Sequence, residues 1–118
     1  MKKAWLLLIV SLLIAAPVLA HPPKDITASY DSASQVLTVS VLHGTMNGAM
    51  HHIKQVTLTS NGNVFLSQTF SDQYDNGRQV VMAVVPKLKG PFSFKAKADC
   101  NLWGSLEKNL TVNIPAGK

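Results

Sequence analysis

The sequence is poor in the features that identify several large classes of protein. Cys100 is the only cysteine among 118 residues, which excludes an internal disulfide framework. Charged residues make up 14% and hydrophobic residues 47%, the reverse of the balance in disordered chains. After residue 20, no window keeps an apolar stripe of helical period. Together, these observations predict a small, non-helical domain that is stabilised by its own hydrophobic core.

Several kinds of chemistry also lack their usual residues. There is no Gly-rich phosphate loop and no CxxC pair of the kind that holds structural zinc. The 6 carboxylates are scattered, so paired-carboxylate catalysis has no support. Two of the 11 Lys+Arg residues are Lys2 and Lys3, and no basic run with interleaved aromatic residues follows them. Nucleic acid is therefore not an expected partner.

The first twenty residues have the three parts of a secretory signal. Lys2 and Lys3 precede an apolar run over 5–16, and Pro17 is followed by Val-Leu-Ala. The run is shorter than the roughly 20 residues that a bilayer span needs, which favours cleavage over anchoring. We expect residues 1–20 to be a signal peptide, cleaved after Ala20, and residues 21–118 to form one secreted or periplasmic domain without a membrane anchor.

Short segments rich in β-branched residues alternate with turn residues through the rest of the chain. They predict strands at 26–30, 36–42, 52–59, 64–70, 79–85, 92–98 and 110–114. Asn61-Gly62 predicts a hairpin turn, since both residues accept positive φ. The segment 79–85 is apolar on both faces, which predicts a central strand. Seven short strands in one domain predict an all-β, immunoglobulin-like antiparallel sandwich.

The histidines and the cysteine lie at predicted strand ends or in loops. They are His21, His43, His51, His52 and Cys100. Imidazole nitrogen and thiolate sulfur select iron, copper or zinc over magnesium or calcium. Two of the imidazoles flank one loop, and the thiol lies in a loop predicted over 99–106. Because the loops of a sandwich cluster at its ends, these groups are expected to share one ion.

Three segments resemble the iron-binding domain of the desulfoferrodoxin and superoxide reductase family. His21-Pro22-Pro23 is similar to its His-x-Pro segment, and residues 43–53 (HGTMNGAMHHI) are similar to its H-P-M…H-Y-I segment. Residues 100–104 (CNLWG) are similar to its C-N-x-H-G segment. The stretch 53–70, a strand, an Asn-Gly turn and a second strand, also follows the family. The resemblance covers nearly the whole domain, in the same order.

The resemblance implies a mononuclear non-haem iron site that reduces superoxide to peroxide with electrons from an external donor. The implied ligands are His21, His43, His51 and Cys100, the thiolate being the group that tunes the iron. Trp103 stands where the family has a further histidine, and an indole cannot replace that ligand. Cleavage after Ala20 would free an α-amine on His21, and this amine is the candidate replacement.

Two further positions follow from the same resemblance. Lys24 is the candidate for the family's lysine, which attracts superoxide and assists protonation. His52 stands where the family has tyrosine. Because adjacent strand residues point to opposite faces, His52 is not expected to bind the same ion as His51.

Two other functions fit the same residues. The first is a non-enzymatic copper-binding module that uses the N-terminal His21 with its amine, another histidine, Cys100 and the thioether of Met46 or Met50. A blue-copper version is disfavoured, since no histidine follows the cysteine. The second is a sandwich that binds a partner and has incidental histidines. In that case the lone thiol allows a homo-oligomer linked by an intermolecular disulfide.

Overall fold

The computed structural model describes residues 22–114, and this part of the chain is all β. The strands are β1 (Asp25–Asp31), β2 (Val36–Leu42), β3 (Ile53–Ser60), β4 (Asn63–Thr69), β5 (Arg78–Val84), β6 (Phe92–Cys100) and β7 (Ser105–Val112). Among the described residues there is no helix with the length and apolarity of a membrane span. The predicted fold class is confirmed.

The strands form two antiparallel sheets. One has three strands in the order β1-β2-β5, and the other has four in the order β4-β3-β6-β7. A constant-type immunoglobulin domain places its fourth strand in the sheet of the first, second and fifth strands. Here β4 pairs with β3 instead, through the hairpin that Asn61 and Gly62 close with φ values of 52° and 80°. The predicted two-sheet sandwich is confirmed, with three strands facing four.

The core lies between the sheets and is built from alternate residues of each strand. In β2 the inward side chains are Leu37, Val39 and Val41, while Thr38 and Ser40 face outward. Strand β6 buries Phe94, Ala96 and Ala98 in the same way. The remaining buried apolar residues are Ile26, Ile53, Val56, Leu58, Val81, Cys100 and Val112. Burial of each large aliphatic side chain contributes about 1.5–3 kcal/mol, which makes this layer the main source of stability.

The strand that carries the cysteine is longer than predicted. β6 continues to Cys100, which pairs with Ile53 of β3, and β7 already begins at Ser105. The predicted loop over 99–106 is therefore wrong, and the connection is only 101–104. The first half of β7 is mostly polar because it lies at the edge of the sheet, where side chains remain in water. Such a segment lacks the alternation that indicates a strand.

The prediction of a central strand at 79–85 is also wrong. β5 lies at the edge of the three-stranded sheet and pairs only with β2. Its outer face leaves Met82 and Val84 exposed. Apolar side chains on both faces do not require burial on both faces, since much of a folded protein's surface is apolar.

Candidate metal centre

Three of the predicted ligands meet at one end of the sandwich. His43 follows the last residue of β2, His51 lies two residues before β3, and Cys100 ends β6. Because β2 and β3 belong to different sheets, the loop 43–52 crosses from one sheet to the other. One ligand atom from each of the three residues lies within 4.8 Å of the other two. The three side chains form a group that could hold a metal ion.

The closest pair in this group has the separation of two ligands on a common ion. Nε2 of His51 lies 3.2 Å from Sγ of Cys100. Metal–nitrogen and metal–sulfur bonds of about 2.0–2.1 and 2.3 Å place the two atoms roughly 3.1 Å apart at a right angle and roughly 3.6 Å apart at a tetrahedral angle. The rings of His43 and His51 meet edge to face, with centroids 4.5 Å apart. The ligand atoms of the group lie up to 4.8 Å apart, so an ion bound by all three would require them to move closer together.

The three ligands differ in their access to solvent. The side chain of His43 is 0% exposed, Cys100 is 5% exposed and His51 is half-buried. An ion held here would be shielded on the side of the thiol and would be approached from the side of His51. Beside His51 lies a pocket of about 630 Å³, lined also by Met46 and Met50.

A glutamine that sequence reasoning missed contacts the most deeply buried ligand. Gln73 lies in the loop 70–77 between β4 and β5, and its Oε1 is 2.9 Å from Nδ1 of His43. Its Nε2 donates to the carbonyl oxygen of the same histidine at 2.7 Å. No local pattern distinguishes this glutamine from the polar residues around it. Only the folded chain brings it to His43.

Other side chains fix the loop that carries Gln73. The buried Gln79 donates to the carbonyl of Asp72 at 2.8 Å and accepts from the amide of Tyr74 at 3.0 Å. Asp75 accepts from the amides of Gly77 and Arg78. The Gly77 bond is the largest cause of a lowered pKa of Asp75; desolvation opposes it and the Arg78 contacts add to it. The segment around Gln73 is therefore held on both sides.

Asn101 fixes the backbone around His51. Its Oδ1 accepts from the amide of His52 at 2.8 Å, and its Nδ2 donates to the carbonyl of Met50 at 3.0 Å. Its own amide donates to the carbonyl of His52 at 2.9 Å. The residue after Cys100 thus binds the residues before and after His51, which holds the thiol and the imidazole together.

His52 lies outside the group of His43, His51 and Cys100. Both His51 and His52 precede β3, so the alternation of strand side chains does not account for this difference. Nε2 of His52 donates to the carbonyl of Phe70 at 3.1 Å, and its ring is buried. Within residues 22–114, no hydrogen-bond partner reaches its Nδ1. His52 therefore braces the loop after β4 and does not join His51 as a ligand.

The start of the described chain lies at the same end of the sandwich. A Cβ on Gly104, whose φ is +85°, would come 2.8 Å from Cβ of Pro22, so the two residues pack closely. The amide of Lys24 donates to the carbonyl of Leu42 at 2.8 Å, beside His43, while its side chain is exposed. The predicted ligand His21 and the predicted signal peptide lie outside the described residues.

Trp103 is an exposed side chain in the connection 101–104. Comparison of the chain with protein-family models and with curated proteins finds no match. Two imidazoles and a thiol suit iron, copper and zinc alike, so the group indicates a transition metal without selecting one.

Proposed function

We propose that the protein is an exported mononuclear iron protein that reduces superoxide to peroxide. The observation that supports this most directly is the approach of His43, His51 and Cys100 to within 4.8 Å. The resemblance to superoxide reductases supports iron and superoxide as the metal and the substrate. The donor set is compatible, because imidazole and thiolate both bind iron.

The proposed ligands are His43, His51 and Cys100, with His21 as the fourth. Pro22 follows His21 in the sequence and packs against Gly104, in the connection that begins one residue after the thiol. Signal cleavage after Ala20 would give His21 a free α-amine as well as its imidazole. One residue then offers two nitrogen donors, which compensates for the histidine that Trp103 replaces.

Iron bound here would supply one electron to superoxide, which with two protons gives hydrogen peroxide, and an external donor would return the electron. The chain contributes a shielded thiolate from Cys100 and an approach from the side of His51. The backbone of Lys24 lies beside the end of β2 and its side chain is exposed. Its ammonium group would attract the anion and assist its protonation.

Metal analysis of the processed chain, purified without oxygen from the cell envelope, tests this proposal. We expect about one iron per chain and an N-terminus at His21. We also expect a thiolate-to-ferric absorption band, which should disappear when the iron is reduced and return when superoxide oxidises the iron. Cys100→Ser should remove the band, and His43→Ala should lower the iron content. His52→Gln is the control that should change neither. Unchanged iron in both ligand variants would refute the site.

Copper binding is the second candidate, and the exposure of two methionines favours it. Met46 is 97% exposed and Met50 is 70% exposed, so neither fills the core. Both line the pocket beside His51. Thioether sulfur is a soft donor that selects Cu⁺, and His51 and Cys100 could complete the set.

Leucine substitution separates the two candidates. If Cu⁺ is the ion, Met46→Leu combined with Met50→Leu should weaken Cu⁺ binding about tenfold or more. Met82→Leu, an exposed methionine on β5, is the matched control. One extra residue before His21 removes the free α-amine from either site, so this variant tests the amine donor and not the identity of the metal. A double variant that binds Cu⁺ as the control does would exclude the thioethers.

A further inference from the structure

Every hydrogen-bonding position of the Gln73 side-chain amide has a partner. Its Oε1 lies 2.9 Å from Nδ1 of His43 and accepts from the amide of Ile53 at 3.1 Å. Its Nε2 donates to the carbonyls of His43 and Asp75, at 2.7 and 3.0 Å. Two acceptor positions and two donors are the full capacity of a carboxamide.

These partners determine which way the amide of Gln73 points. The two carbonyl oxygens can only accept, so they must face the NH₂ group. The amide of Ile53 can only donate, so it must face Oε1. Because Oε1 also faces Nδ1 of His43, and an amide oxygen cannot donate, that nitrogen must carry the proton. A neutral His43 is thereby left with its lone pair on Nε2.

The same contacts fix the position of one sheet relative to the other at the site. His43 follows β2 of the three-stranded sheet, while Ile53 begins β3 of the four-stranded sheet, two residues after His51. Gln73 binds His43 through both its ring and its carbonyl, and it binds Ile53 through the amide. One side chain therefore determines both the proton position on His43 and its placement relative to His51.

We propose that Gln73 is a positioning residue that holds His43 as the Nδ1–H tautomer and presents Nε2 to the metal. The presentation of Nε2 to a metal rests on the proposed function, whereas the tautomer of His43 is a property of the metal-free chain. A metal-bound histidine commonly donates its other ring proton to a neighbouring acceptor, and loss of such an acceptor typically lowers metal affinity about 10–100-fold.

The ¹⁵N shifts of the His43 ring in metal-free protein, at a pH where the ring is neutral, test the assignment. We expect Nδ1–H in the natural chain and a mixed or reversed tautomer in Gln73→Met, which keeps the length but removes the amide. Co²⁺ titration should show about 10–100-fold weaker binding in that variant. Gln55→Met is the matched control, since within residues 22–114 the side chain of Gln55 bonds the surface residue Ser67 and does not contact the candidate ligands. In this control, the tautomer of His43 and the affinity for Co²⁺ should equal those of the natural chain.

A second variant keeps the test decisive if Gln73→Met fails to fold. Gln73→Glu retains an acceptor for His43 and Ile53, so it should keep the Nδ1–H tautomer. An Nε2–H tautomer in the natural chain would overturn the proposal whatever the metal does. So would a Gln73→Met variant that matches the Gln55 control in both tautomer and Co²⁺ affinity. A natural chain with the expected tautomer that binds no metal would refute the proposed function and leave the role of Gln73 intact.

Discussion

The two ends of the sandwich are closed in different ways. At the end opposite the metal group, short turns connect the strands, and the three described non-glycine residues with positive φ, Gln35, Asn61 and Lys87, all lie there. At the metal end, side chains hold longer connections together, with Gln73 and Asn101 bonding residues 30 and 49 positions away. The far end combines these turn residues with long-range hydrogen bonds such as that from Tyr30 Oη to the carbonyl of Val85 at 2.7 Å. At the metal end, by contrast, the long-range bonds fix the candidate ligands themselves.

This difference implies that substitutions at the two ends should have separable effects. A change at the far end should alter the free energy of unfolding and leave metal affinity unchanged. A change to a candidate ligand, or to a side chain that fixes one, should alter metal affinity, with or without a change in stability. Three predictions test this separation and a fourth tests the pH dependence of stability, taken from the largest expected effect to the smallest.

Substitution of His51 and substitution of His52 should have very different effects on metal affinity. His51→Gln removes the imidazole whose Nε2 lies 3.2 Å from the thiol, and we expect metal affinity to fall by more than about 100-fold. His52→Gln keeps a donor for the carbonyl of Phe70, and we expect affinity to change by less than about threefold, because this side chain lies outside the group of candidate ligands. Isothermal titration with Co²⁺ measures both. Equal losses would show that both histidines bind the ion.

Asn101→Ala should affect both affinity and stability. It removes the side-chain bonds to His52 and Met50, which costs about 1–3 kcal/mol in the free energy of unfolding. It should also weaken metal binding about tenfold, since His51 loses its support. Asn109→Ala, at an exposed position of β7, is the control and should change neither quantity. Urea unfolding and metal titration together check the result, and an unchanged affinity would contradict it.

Gly62→Ala should affect stability alone. Its φ of +80° strains a residue with a side chain, although nothing lies within 4 Å of the added Cβ. We expect a loss of about 1 kcal/mol in the free energy of unfolding and an unchanged metal affinity. Gly90→Ala at the same end has equal space and no positive φ, so it should cost nothing. A change in affinity for either variant would mean that the ends are coupled.

Asp25→Asn should have the smallest effect, visible as a pH dependence. The hydrogen bond from Lys108 of β7, followed by that from the amide of Ile26, lowers the pKa of Asp25 below 3.8. A lowered pKa contributes stability above the ordinary value, and this contribution is lost as the pH falls through the folded pKa. The variant should therefore be slightly less stable at neutral pH and equal to the natural chain in strong acid. A pH-independent difference in the urea midpoint would contradict this.

The contrast between the ends also explains what the sequence could predict. The strand at Val36–Leu42 and the Asn61-Gly62 turn were predicted correctly because alternation and positive φ are local properties. The approach of His43, His51 and Cys100 followed from loop clustering in a sandwich. Gln73 could not be predicted, since its partners come from distant segments. The edge position of β5 was missed because hydropathy does not report how strands pair.

The position of Cys100 on a strand has a further consequence if the proposed export takes the chain to an oxidising compartment. Disulfide exchange requires a second sulfur to approach the first directly, and the 5% exposure of this thiol blocks such an approach. The intermolecular disulfide allowed by the sequence would require the residues that cover this sulfur, His51 among them, to move away. The placement that brings the sulfur to the two imidazoles thus also protects it from thiol reagents and from other copies of the chain.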